Sequence, residues 1–232
     1  PGFMPLYWDA DEGRLYGDID GLTGPFIYYN GLSHGVGSND LGLDRGRLGD
    51  THLVTVDRVG KKVFLTAVNT KYTARSDNVA ERRAVDEAFA QSIIWGFEVA
   101  EESEDKTLID LTDFALSDAT DLSRLLAARG EGSYSIDSSR SAIHVPKTKS
   151  FPDNTEIDAR LTYTGNPQGS VLRMVAPDAS AVTVHSHHSF VRLPDDGYEP
   201  LPFDPRAGYI DSGEDSLVYD YASPIDAPIK SA

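Results

Sequence analysis

Apolar and polar positions alternate along most of the chain in short runs broken by turn residues, a period-2 pattern that predicts strands. Leu6-Tyr7-Trp8 and Arg14-Leu15-Tyr16 flank Asp11-Glu12-Gly13, and Phe26-Ile27-Tyr28-Tyr29 ends at Asn30-Gly31. The clearest hairpin spans His52 to Val68, where Leu53-Val54-Thr55-Val56 and Val63-Phe64-Leu65-Thr66 flank Gly60-Lys61. Further strand patterns follow at Ile93 to Val99, Thr107 to Leu111, Ser133 to Ile136, Ala142 to Val145, Glu156 to Thr164 and Val182 to Leu193.

Two stretches change to helical spacing. From Asn78 to Ile93, Val85, Ala88 and Phe89 share a face, while Arg82 with Asp86 and Arg83 with Glu87 form i,i+4 pairs. Asn78 followed by Glu81 resembles a capping box. A second helix is predicted from Asp118 to Arg129, with Ser117 as N-cap, Leu122, Leu125 and Leu126 on its buried face, and Gly130 as its stop. The expected fold is therefore mostly β: an antiparallel sandwich or curved, saddle-like sheets with two peripheral short helices. Spacing leaves sandwich and barrel both open. Residues 1–193 read as the β-rich domain. From Pro194 onward, Pro200, Pro202, Pro205, Pro224 and Pro228 punctuate an extended tail expected to pack on that domain or lead into another.

The 232 residues suffice for a core of useful size. Charge narrows the partners: 21 Lys and Arg against 37 Asp and Glu give a net charge of −16. Such a surface repels phosphate backbones and anionic headgroups, so neither nucleic acid nor membrane insertion is expected. The sequence has no cysteine, which excludes disulfides and thiolate ligands. The opening Pro1-Gly2-Phe3-Met4 carries no initiator Met and reads as a piece of something longer.

Gly31-Leu32-Ser33-His34-Gly35 formally matches the G-x-S-x-G elbow of serine hydrolases. That elbow requires a strand turning directly into a helix, and the following Val36-Gly37-Ser38-Asn39-Asp40-Leu41-Gly42 opposes one. A glycine-rich loop is the better reading. Asp40, Asp44 and Arg45 make it polar, with an ion pair or Asx turn as the expected role. His185, His187 and His188, three of the six histidines, lie on one predicted strand. Alternation places His185 and His187 on one face, where they can chelate a metal if a third ligand approaches, and His188 on the other. Spacing identifies no third ligand. No His-Glu-x-x-His occurs, so no helical zinc pair with a glutamate base is encoded here. The carboxylate pairs Asp9 and Asp11, Asp18 and Asp20, and Asp195 and Asp196 read as acidic turns.

Several ordered stretches carry a family resemblance: Pro1 to Asp9, Gly37 to Gly46, Ala80 to Val85, Ser92 to Phe97, Ser139 to Ala142, Lys147 to Glu156, His187-His188-Ser189-Phe190, and Phe203 to Gly208. Together they resemble the domain of unknown function that precedes the catalytic region in large, exported, zinc-dependent bacterial metallopeptidases of metzincin-like type. The resemblance implies an extracytoplasmic, non-catalytic module whose partner is the downstream catalytic domain of the same polypeptide and, through it, a peptide substrate. No cofactor is expected in this chain, and zinc is expected in the downstream domain. On this view His187, His188, Asn39, Asp40, Asp44 and Arg45 are candidates for the interdomain or substrate-facing surface, with His185 and His187 as the metal candidates. The alternatives are a self-sufficient binding module for a glycan or polymer, for which the 11 tyrosines offer material, and an independent serine or metal-dependent hydrolase.

Overall fold

Period-2 alternation buries one side of each strand, and the computed structural model shows that alternation forming a large sheet. It describes residues 2–195, 197–199, 217–220 and 228–230. In chain order the elements are β1 (Leu6–Asp9), β2 (Arg14–Asp18), β3 (Phe26–His34), β4 (Leu48–Val59), β5 (Lys62–Ala67), β6 (Tyr72–Thr73), α1 (Val79–Ala88), β7 (Ser92–Ser103) and β8 (Lys106–Asp110). There follow α2 (Thr112–Ala115), α3 (Leu122–Ala128), β9 (Gly132–Ile136), β10 (Ala142–Ile143), β11 (Lys149–Ser150), β12 (Asn154–Pro167), α4 (Val171–Val175), β13 (Ala181–Arg192), β14 (Leu217–Asp220) and β15 (Pro228–Lys230). Strand residues far outnumber helical residues among the described residues, so the protein is mostly β, as the alternation predicts.

Among the described residues, twelve strands form one antiparallel sheet in the order β1-β2-β8-β7-β5-β4-β3-β13-β12-β10, with β9 and β11 also paired to β12. The chain divides into two units: Pro1–Leu65 with Trp95–Leu193, and Thr66–Ile94 with Pro194–Ala232. The second unit contains α1 and a three-stranded sheet in which β14 pairs parallel to β6 and antiparallel to β15. Most of the stretch expected as a proline-rich tail lies outside the described residues.

The core of the first unit follows directly from strand alternation. On β12, Ile157, Ala159, Leu161 and Tyr163 are each 0% exposed, and on β13 Val184 and His188 are likewise 0% exposed. Phe114 of α2 packs among Tyr28, Trp95, Phe97, His188 and Phe190, with ring centroids 4.9–6.1 Å away. Full burial of such a ring is worth roughly 2–3 kcal/mol.

Four short α-helices occur among the described residues where two are predicted. The additional α2 and α4 have four and five residues, too few to display a helical period. Helix α1 begins as expected: the Asn78 side chain accepts from the Ala80 N–H at 2.9 Å, and Arg83 pairs with Glu87 at 2.6 Å. Arg82 instead donates to the Ser76 carbonyl. The helix ends at Ala88 because Phe89 is extended (φ −120°, ψ 115°) and the apolar run from Ser92 enters β7. Helix α3 starts later than predicted, at Leu122. Asp118, not Ser117, supplies the capping oxygens, accepting from the N–H groups of Leu122 and Ser123 at 2.8 and 3.0 Å. The Ser117 hydroxyl donates back to the Phe114 carbonyl at 2.7 Å. Gly130 follows α3 at φ 73°, the left-handed conformation that stops a helix.

Candidate functional site

The face of β12 and β13 opposite the apolar core is polar, and its centre is Asp158. Antiparallel register places Asp158 opposite His187, Glu156 opposite Ser189 and Arg160 opposite His185, so these pairs share a face. On the outer side of β12, Ile143 of β10 pairs with Ala159. One residue on, the His144 N–H donates to the Asp158 carbonyl at 2.7 Å, which brings the His144 side chain alongside Asp158.

Strand β3 approaches β13 from the other side, and there the register shifts. Leu32 lies opposite Ser186 and His34 opposite His185, leaving Ser33 as an extra residue in a bulge. A bulge interrupts alternation and can aim consecutive side chains at one face. Here the Ser33 hydroxyl donates to Asp158 Oδ2, while the His34 ring packs on His185 with centroids 4.2 Å apart. Beyond the bulge the chain folds back tightly: a Cβ at Gly35 would lie 2.2 Å from the Leu43 carbonyl oxygen, so this position requires glycine.

The distances define the cluster. Nδ1 of His144 and Nδ1 of His185 each lie 2.8 Å from Asp158 Oδ1. His187 spans the two carboxylates, with Nε2 2.6 Å from Glu156 Oε2 and Nδ1 3.8 Å from Asp158 Oδ2. The other Glu156 oxygen accepts from the Ser189 hydroxyl at 2.7 Å and from the Asn154 amide. The Asp158 side chain is 0% exposed, against 26% for His144 and 16% for His185, so the buried anion sits beneath a rim of solvent-accessible imidazoles.

The surroundings set the charges. Burial alone would raise the Asp158 pKa, but hydrogen bonding from His187, Ser33, His185 and His144 outweighs it and holds the carboxyl well below the usual range. Burial opposes ionisation of Glu156 in the same way, and His187, Asn154 and Ser189 lower its pKa regardless. Asp158 and Glu156 lift His187 to about 9, making it a cation at neutral pH. Burial, then the neighbouring His185 and Lys147, lowers the pKa of His34.

His188 has the opposite environment. It is 0% exposed, with Nδ1 3.0 Å from the Tyr28 hydroxyl and Nε2 3.3 Å from the Ala115 carbonyl. Those partners fit a neutral ring with the proton on Nε2 and the Tyr28 hydroxyl donating to Nδ1. Burial pushes its pKa down to about 4.

The predicted residues are thus dispersed. His185 and His187 share the Asp158 face, whereas His188 lies inside the core and away from any surface. Asn39, Asp40 and Arg45 are exposed and Asp44 is half-buried. Asn39 and Asp40 belong to a one-turn 3-10 segment in which the Ser38 hydroxyl accepts from the Asp40 N–H at 3.2 Å. Arg45 lies within electrostatic range of His34. Of the metal candidates, His185 joins His144 and Asp158 in a group whose ligand atoms all lie within 4.8 Å of one another, while His187 is engaged by Glu156. Asp158, His144 and Glu156 are the residues that strand spacing did not identify as a site. The only sequence signal for them was that Glu156 and Asp158 occupy alternate positions of a predicted strand.

The arrangement supports chelation or hydrogen bonding and not nucleophilic attack by Ser33. In a serine triad the hydroxyl bonds an imidazole that the carboxylate orients from its far side. Here the carboxylate receives the hydroxyl directly, and His34 Nδ1 lies 3.4 Å from Ser33 Oγ. Ser33 also lies within a strand and not on a strand-to-helix turn. Two of the aspartate pairs are turn formers: Asp9 accepts from the N–H groups of Asp11 and Glu12, and Asp18 from that of Asp20, while Asp196 of the third pair lies outside the described residues.

No curated protein and no solved structure matches the chain. A family model described as a domain of unknown function, DUF5117, matches residues 46–231, a stretch that includes His144, Glu156, Asp158, His185 and His187 and begins after Ser33 and His34. The chain therefore belongs to the DUF5117 family.

Proposed function

We propose that the chain is a non-catalytic, extracytoplasmic module of a zinc-dependent metallopeptidase that docks on the catalytic domain of the same polypeptide and shapes substrate access. One geometric observation carries the non-catalytic part. His144 and His185 of the polar face hydrogen-bond to Asp158, and the Ser33 hydroxyl donates to that same carboxylate in place of the imidazole that a serine nucleophile needs. Groups arranged in this way rigidify a surface for recognition. The peptidase context rests on the ordered motifs that resemble the exported metallopeptidase architecture. Arg45, exposed in the loop that follows β3, presents charge to a partner, and extended peptides are well suited to bind beside sheets.

The test uses the parent polypeptide. A His-Glu-x-x-His motif is expected downstream of Ala232. Deleting residues 1–232 is expected to raise KM for long peptides about tenfold, equivalent to about 1.4 kcal/mol, while turnover of a short reporter peptide stays unchanged. A parent lacking the motif, or a deletion that leaves both substrates unaffected, would overturn the proposal.

A further inference from the structure

We infer that Asp158, His144 and His185 form a binding site for a divalent transition-metal cation of the zinc class. Such a site would belong to this chain whatever catalytic domain it accompanies. Two imidazole nitrogens converge on one carboxylate oxygen, each at 2.8 Å, and all three donor atoms lie within 4.8 Å of one another. Imidazole with carboxylate is a donor set for zinc, cobalt or nickel, whereas calcium and magnesium take oxygen ligands.

Bonds of about 2.0–2.1 Å at tetrahedral angles place donors about 3.3 Å apart. Reaching that spacing opens each of the two 2.8 Å contacts by about half an ångström and closes the two imidazole nitrogens, which lie within 4.8 Å, by up to about 1.5 Å. The two rings, part exposed at the rim, can supply it by rotation. Asp158 itself is fixed from behind. Its other carboxylate oxygen accepts from Ser33, and its backbone N–H donates to Thr148 Oγ1 at 3.2 Å. Outer partners of this kind orient a ligating carboxylate.

His34 is a further imidazole beside this three-residue group. The β3 bulge brings its ring to 4.2 Å from that of His185, and the ring of His144 lies 4.8 Å from His185, so imidazoles flank His185 on two sides. A fourth donor from His34 would complete a tetrahedral His3Asp set. The fully buried Asp158 gives an incoming cation a fixed anion at the floor of the site. The part-exposed rings leave a route from solvent.

The test is titration of the purified, chelator-treated chain with Co2+ and Zn2+, followed by calorimetry and by visible absorption of the Co2+ form. One ion per chain and the intense visible bands of tetrahedral Co2+ are expected, with no comparable binding of Mg2+ or Ca2+. His144→Gln and His185→Gln should each weaken Zn2+ about 100-fold, His34→Gln about tenfold with altered Co2+ bands, and Ser33→Ala about tenfold as an outer partner. His52→Gln, elsewhere on β4, should bind as the unaltered chain does. Circular dichroism identifies any variant that fails to fold, and the thermal shift of the unaltered chain with Zn2+ then serves as the measurement. Absence of saturable binding to the folded chain, or unchanged affinity in folded His144→Gln and His185→Gln, overturns the inference.

Discussion

On β13, His188 points into the apolar interior and is held neutral between Tyr28 and Ala115, whereas His187, one residue earlier, lies between Glu156 and Asp158 and is held as a cation. The same side chain acquires opposite charge states because strand alternation sends one ring among aromatic groups and the other among carboxylates. Polarity is not confined to the exposed side, however. Asp158 is as inaccessible as His188, and its burial is tolerated because four side chains surround it. The two faces therefore solve burial differently: the core with a neutral ring and two hydrogen bonds, and the polar face with an ion compensated by histidines and a serine.

The largest break in this comparison is removal of the shared anion. Asp158→Ala strips Ser33, His144 and His185 of a common acceptor, and is expected to cost about 3–5 kcal/mol in urea unfolding. A loss below about 1 kcal/mol would show that the cluster contributes little to folding. Next comes the pH response of the core face. Between the ordinary histidine value of 6.5 and the folded value of about 4, the unfolded chain binds more protons than the folded chain. Stability from the neutral His188 is therefore complete above about pH 6.5 and is lost as pH falls toward 4, a change of roughly 3 kcal/mol. The facing groups are the Tyr28 hydroxyl and the Ala115 carbonyl, with His187 and Asp158 acting from a distance. Unfolding measured across this window should show His188→Gln with a flatter profile than the unaltered chain, by about one proton.

Smaller changes sharpen the contrast within the polar face. Ser33→Ala removes one donor from a fully buried carboxylate and is expected to cost about 2 kcal/mol in chemical denaturation. Ser189→Ala removes a donor from Glu156, whose side chain is 15% exposed, and water can compensate in part. Its expected cost is about 1 kcal/mol by the same measurement. A larger loss for Ser189 than for Ser33 would reverse the assigned ranking of the two carboxylates.

Much of the fold was legible because it rests on local periods. The hairpin expected across Gly60-Lys61 is formed by β4 and β5, the Asn78 cap starts α1, and the alternation of His185, His187 and His188 predicts their faces. The start of α3 is ambiguous in the sequence because Ser117 and Asp118 both fit a cap by type. Only the fold back to Phe114 and to Tyr163, whose hydroxyl donates to Asp118 at 2.7 Å, assigns their roles. The grouping of Asp158 with His144 and His185 is unmarked in the sequence for a different reason. Asp158 and His185 are 27 residues apart and His144 is 14 residues before Asp158, separations fixed by antiparallel register and by no spacing rule.

The sequence by itself determined the mostly-β class, the principal hairpin, the first helix cap and the two-faced histidine strand, because each depends on neighbours within a few positions. Only the tertiary structure decided which groups share Asp158. Register between distant strands selects His144 and His185, and the bulge at Ser33 shifts β3 by one residue to add Ser33 and His34. A one-residue shift of this kind leaves almost no mark on local composition, yet it determines which side chains meet on the polar face.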